Sequence, residues 1–579
     1  MGPTVQDRQR LVAVARGAAP ADLYVRGGTL LNVYTGELHA ANVAVAGERI
    51  AYVGAREDMV GSRTEVLDAT GRILVPGYVD PHVHVGHLVS PAAFARYVLP
   101  LGTTALVADT LQFWELGGLA AFRALADALA GSPVKFYWMI RPHGQARTTD
   151  EWRRFPVRDL RRALAHPLAV AVGEVTRWPE AWGGEPELLR RLALARPPLR
   201  RVEGHTAGAA AERVAALAAA GFTSDHEPIT AREVLERARQ GIAVMLRESS
   251  LRPDLGELLD ALKAAPGLAS RLMLTCDGSM PAFVRAHGFV DHLIRTALAR
   301  GVAPVDAYRM ATLNPATYYG LDGDLGGIGP GRYADILVLD DLAEPRPAAV
   351  VARGRLAARD GRPLARIPEP PWRRVFASAA ARLDVRWRAR GADFALPPRT
   401  RYPVIRLVSA VISRLEERPL APGDLHAALV DRRGRWVAPG IVAGFADERL
   451  DGFAATLSTD FNLLALGRRP EAMARAVNRV LALRGGVVLV EGDGVAWELP
   501  LPLGGIMARG TYEDAADWEQ ALRAALRARG HAHHDPIFSL FFLSADFLPA
   551  VRLSPRGVWD VKRKRVLLPA RRRAPRAGR

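Results

Sequence analysis

One cysteine, Cys276, in 579 residues rules out an intrachain disulfide framework and fits a reducing cytoplasm. No run of about eighteen uncharged apolar residues occurs, so no membrane span is expected. The opening stretch, MGPTVQDRQRLVAVARGAAP, is Arg-rich but lacks a continuous apolar core and a cleavage site, and does not read as a secretory signal. Lysine is nearly missing. Lys135, Lys263, Lys562 and Lys564 are the only ones, and arginine carries the rest of a formal net charge of +17. Those arginines are scattered through Ala/Leu-rich stretches such as RRLALARPPLRRV and ALRAALRARG. That is the pattern of solvated helix faces rather than of a phosphate-binding stripe, so neither nucleic acid nor membrane is an expected partner. Only the end of the chain, KRKRVLLPARRRAPRAGR, concentrates positive charge, closing in a basic tail over 569–579.

What is present is enough hydrophobic residue, 49 %, for cores in a chain too long for one of them. Residues 21–74 alternate apolar and polar positions between glycine turns and read as short β-strands. From 75 to 324 the texture changes to short apolar strands alternating with Ala/Leu/Arg helices, which is the pattern of parallel βαβ units. About eight such units make a closed (β/α)8 barrel the economical architecture. Strand-and-glycine texture returns over 325–365, so 1–74 and 325–365 are expected to form one composite β-sandwich domain flanking the barrel. An Arg/Pro-rich linker is expected over 366–403, followed by an extra α+β domain over 404–568. The fold class is α/β.

The candidate chemistry begins at VPGYVDPHVHVGHL, residues 75–88. On a strand, residues i and i+2 share a face, so His82 and His84 project the same way, as two imidazoles gripping one metal ion would. In a barrel, function sits where strands end. Reading those ends in order gives Asp109 (ADT), His143 (RPHG), Glu174 (GEV), His205 (GHT), His226 (SDHE) and Asp277 (TCDG). The metal ligands expected are His82, His84, Glu174, His205, His226 and Asp277, a donor set that suits two adjacent divalent ions. Glu174 has two oxygens with which to bridge them. Asp277 is placed to move a proton from water to a leaving nitrogen, and His226 to bind metal or polarise the substrate.

These residues, in this order, resemble the amidohydrolase superfamily, whose barrel carries His-x-His, a bridging Lys or Glu, two His and an Asp. Within it the chain is similar to the bacterial adenine deaminase family over nearly its whole length. The likeness runs through PGYVDPHVHV, GEV, VEGHTAG, AAGFTSDHEPITAREVLERARQGIAVMLRESS and LNPATYYGLDGDLGGIGPGRYADILVLDDL, and on to AVNRVLALRGGVVLVEGDGVAWELPLPLGGIM and RLSPRGVWDV. The resemblance implies a binuclear centre of iron or manganese, with zinc as an alternative.

The chain departs from the family at several places. Glu-Ser-Ser after His-x-His is Gly86-His87-Leu88 here, and Asp-Pro-His-Glu after the second strand is Asp109-Thr110-Leu111-Gln112. Thr-Asp-Asp-Arg is Thr275-Cys276-Asp277-Gly278, and His-Asp-Ser-His in the C-terminal domain is Leu457-Ser458-Thr459-Asp460. The residues expected to line the substrate pocket are His87, Asp109, Gln112, His143 and Ser279. The leading expectation is metal-dependent deamination of adenine or a related aminopurine, a small nitrogen heterocycle, by a cytoplasmic homodimer or higher homo-oligomer. The alternatives are hydrolysis of a cyclic amide at the same centre, or a catalytically inactive barrel kept for binding or assembly.

Overall fold

The computed structural model describes residues 2–147, 151–196, 200–383 and 387–573. Eight parallel strands follow one another around a barrel: β1 (Tyr78–Val83), β2 (Thr103–Asp109), β3 (Lys135–Ile140), β4 (Ala169–Val175), β5 (Arg201–Gly204), β6 (Ser224–Asp225), β7 (Ala243–Arg247) and β8 (Leu272–Thr275). Side-chain alternation turns Val107, Met139, Met245 and Met273 into one inner cluster. It turns Leu106, Trp138, Ile140 and Leu274 out against the helices. The same alternation carries Asp109, Arg141, Arg247 and Thr275, each two residues further on, to the inner face at the barrel mouth. A parallel bridge between Val83 and Asp277 joins β1 to β8. Asp80 reinforces that seam by accepting from Thr275 Oγ1 at 2.8 Å and from the Cys276 amide at 3.0 Å.

The flanking segments form a single nine-stranded sheet, in which Ile73–Pro76 runs antiparallel to Ile336–Leu339. A buried ion pair locks that sheet to the barrel. Lys135 Nζ, at the start of β3, donates to Asp335 Oδ1 at 2.7 Å. The same oxygen accepts the Arg353 amide, and the Arg353 guanidinium reaches back to the carbonyls of Ser132 and Ala130.

A second nine-stranded sheet, from Tyr402–Leu407 to Gly494–Pro500 with Arg571–Arg572 pairing onto Trp436–Ala443, builds the C-terminal domain. The helix Pro470–Ala482 lays Met473, Val477 and Val480 on one face of it. Residues 366–403, expected as a linker, are packed where they are described. Trp372 and Val375 sit beside the long helix Leu111–Leu129, and Phe394 is fully buried. A tryptophan and a phenylalanine in an otherwise Arg/Pro-rich segment give it something to bury. Of the expected basic tail, 574–579 lie outside the described residues.

Candidate active site

Strand ends bring six metal-binding side chains to one spot. His82 and His84 turn their Nε2 atoms towards each other, 3.3 Å apart, and both face Asp277 Oδ1, at 3.4 and 3.3 Å. His205 Nδ1 and His226 Nε2 make a second pair, 3.2 Å apart. Glu174 stands between the pairs. Its Oε2 is 3.8 Å from His84 Nε2, while its Oε1 contacts His205 Nδ1 and lies 3.5 Å from His226 Nε2. Imidazole nitrogens aimed at one another and at carboxylate oxygens, inside a buried site, are an arrangement that cations would relieve. Subsets of these atoms, including His82–Glu174–His226 and His82–His84–Asp277, lie within 4.8 Å of one another. The nitrogen-and-carboxylate donor set fits divalent transition metals.

A shell of carboxylates fixes the ring orientations. Asp109 Oδ2 is 3.1 Å from His84 Nδ1. Glu203 takes two rings at once, with Oε1 on His226 Nδ1 and Oε2 3.4 Å from His82 Nδ1. Two buried arginines then hold the acids. Arg141 clamps Asp109 through Nε at 2.9 Å and Nη2 at 2.7 Å, and also donates to Glu174. Arg247 donates to Glu227 and lies 3.5 Å from Asp277 Oδ2. Burial alone would push these acids up. For Asp109 the Arg141 charge and His84 outweigh it, and for Glu174 Arg141 and His205 do, so both carboxyls lie below their ordinary range. Burial likewise opposes ionisation of Asp277, but its bonds to His82 and His84 hold it well below the usual value.

Above the acids and imidazoles lies a cavity of about 140 Å³. Its floor includes His84, Glu174, His205 and Asp277 from the barrel, and its roof is aromatic: Phe461, Phe538, Phe541, Phe542 and Phe547, all from the C-terminal domain. Phe541 leans on His87, and Phe547 stands edge-on to His205. His87 and Gln112 line this cavity. Asp109, His143 and Ser279 are not among its lining residues. Asp109 lies behind His84, His143 is fully buried with Nδ1 on the Gly144 carbonyl, and Ser279 Oγ donates to Cys276 O. Burial, with Arg177 nearby, drives the His143 ring well below its ordinary pKa.

Sequence reading passed over Glu203, Arg141, Arg247, Gln145 and the phenylalanine roof. The signal for the first three was a charged residue inside or at the end of an apolar strand run, where only pairing makes burial tolerable. The helix Pro536–Leu543, PIFSLFFL, is apolar on every side, which itself marks a buried element.

Known proteins match both the barrel and the C-terminal domain. Residues 73–359 match the amidohydrolase family and residues 413–565 the adenine deaminase C-terminal domain. A Halalkalibacterium halodurans protein provisionally named adenine deaminase is 36 % identical over 581 residues, covering 98 % of both chains. The adenine deaminase of Methylobacterium nodulans is 36 % identical, covering 96 % of this chain and 99 % of its own. Among solved structures, the beta-aspartyl dipeptidase of Fervidobacterium islandicum AW-1 superposes with a TM-score of 0.46 at 18 % identity, over 60 % of this chain and 98 % of that one. With relatives of that identity matched across barrel and C-terminal domain alike, the chain belongs to the adenine deaminase family of amidohydrolases.

Proposed function

We propose that this chain hydrolyses the exocyclic C–N bond of adenine or a closely related aminopurine, releasing ammonia, with two divalent cations, iron or manganese, held by His82, His84, Glu174, His205, His226 and Asp277. Membership in the amidohydrolases implies divalent metal ions. The observation that carries the reading is the division of the site, with an imidazole pair on each side of Glu174 and one small aromatic-roofed cavity over both. Relatives named for adenine deamination match over nearly full length.

Two such ions, when bound, supply Lewis acidity and lower the pKa of bound water towards neutrality. The protein's own groups do the rest. Asp277 accepts the proton of the attacking water and passes it to the leaving nitrogen. Arg247, 3.5 Å from Asp277 Oδ2, orients that carboxylate. His226, aligned by Glu203, lies beside Glu174 as ligand or polarising group. The phenylalanine roof excludes water and stacks on a planar ring.

Among the described residues no helix is long and apolar enough to cross a membrane. A buried single thiol, Cys276, accords with a cytoplasmic site of action, and a homo-oligomer is the assembly we propose. The test is ammonia release from adenine by protein reconstituted anaerobically with ferrous iron or manganese, with metal content measured on the same sample. Ammonia release with about two bound metals supports the proposal. Ring opening without ammonia, from a cyclic amide panel, would replace it with the other hydrolytic reaction.

A further inference from the structure

The loop after β3 carries a side chain that no described residue uses. Gln145 is only 8 % exposed and lines the cavity. Yet its carboxamide has no hydrogen-bond partner among the described residues, on either the oxygen or the nitrogen. The backbone around it is pinned. Gln145 O accepts the Asp546 amide at 3.2 Å, Asp546 Oδ2 accepts the Arg147 amide at 2.6 Å, and Gly144 N donates to Glu151 Oε1 at 3.1 Å. The neighbouring carboxamide, Gln112, differs in that its Nε2 is already committed to Val85 O. A carboxamide with neither donor nor acceptor satisfied among the described residues, on a loop held against a ligand cavity, is open to pairing with what the cavity takes.

We propose that Gln145 is a specificity-determining residue, whose carboxamide pairs with an adjacent donor–acceptor edge of the substrate ring: Oε1 accepting a ring or exocyclic N–H and Nε2 donating to the neighbouring ring nitrogen or carbonyl. A carboxamide offers one acceptor beside one donor, which is why glutamine and asparagine read such edges on nucleobases. The phenylalanines above supply affinity for any flat apolar ring. Gln145 supplies the discrimination between rings that present this edge and rings that lack it, because a partner lacking the edge leaves the carboxamide unpaired again. This rests on the proposed heterocycle hydrolysis but is separable from it, since the edge would be read on a purine, a hydantoin or a dihydropyrimidine alike.

The experiment uses the full-length, metal-loaded protein as wild type, Gln145→Leu and Gln145→Glu. The readouts are melting temperature, metal content, equilibrium binding of hypoxanthine by calorimetry, and steady-state ammonia release from adenine. Both variants should keep metal content and fold. Binding should weaken, and KM rise, by about 10- to 100-fold with kcat little changed, the size of one lost bidentate pair. A ring-N-methylated adenine should be poorer than adenine for wild type but equal to it for Gln145→Leu. Equal binding by wild type and both variants overturns the assignment, as does a variant that binds the methylated and unmethylated rings with the wild-type preference. If wild type releases no ammonia from aminopurines, the deamination reading falls. Gln145 is then judged by the same binding comparison on hydantoin and dihydropyrimidine, where equal affinities, or no binding by wild type, overturn it.

Discussion

Asp277 holds a backbone φ of +49°, in the left-handed region that aspartate tolerates better than most side chains, and from there faces His82 and His84. Replacing it by asparagine keeps the shape and removes the proposed proton carrier. Asp277→Asn should cut turnover by about 10²- to 10⁴-fold while metal content stays near that of wild type, and unchanged turnover would sink the role. Glu203 makes the contrasting case. It touches no cavity atom, but aligns His82 and His226 together. Glu203→Gln is expected to lower metal affinity by about 10- to 100-fold, read by competition with a chelator, with little effect on folding at saturating metal. These two residues also mark what could be read in advance. Asp277 was legible because it ends an apolar strand in the register of the other ligands. Glu203 was not, because its partners come from β1 and β6, and no local spacing reports a contact made across the barrel.

At the scale of one element, the helix Pro536–Leu543 brings Phe538, Phe541 and Phe542 to the roof. Asp535 caps it, accepting from the amides of Ile537 and Phe538 while pairing with Arg523 at 2.6 Å. Asp535→Ala should cost about 1 kcal/mol of stability from the lost cap, and more where Arg523 is left without this partner. Because the helix carries the roof, the same variant should raise KM more than it lowers kcat. A lowered melting temperature with an unaltered KM would separate the roof from substrate binding. Strand–helix alternation made the barrel readable over 75–324, since parallel units repeat the same pattern. The roof was hidden because it comes from another domain, far along the chain from the loops it covers, and its fit to the barrel is a matter of shape rather than of period.

Buried polar contacts help to join the three parts of the molecule, and Lys135–Asp335 is one of them. Burial depresses the Lys135 pKa, and Asp335 works against that. Asp335→Asn, which strands the ammonium, is expected to cost about 3–5 kcal/mol, whereas the double variant Lys135→Met/Asp335→Asn, which removes both charges, should be much milder. Denaturant midpoints of the two variants measure the difference, and equal losses would mean that the pair does not tie sheet to barrel. The composite sheet was legible from the return of strand texture after the barrel. This joint was not, because a lysine beginning an apolar strand gives no sign of a partner 200 positions away. The ring itself has a seam. Asp80 meets Thr275 across 195 residues of chain, and the candidate ligands are shared between β1 and β8 on either side of it. During synthesis the first two histidines emerge long before Asp277, and a chain interrupted anywhere before β8 holds only a partial set of donors. Loop closure over such a distance is slow. The phenylalanine roof is translated later still. Between closing of the ring and arrival of the roof there is an interval in which the candidate ligands stand together yet uncovered.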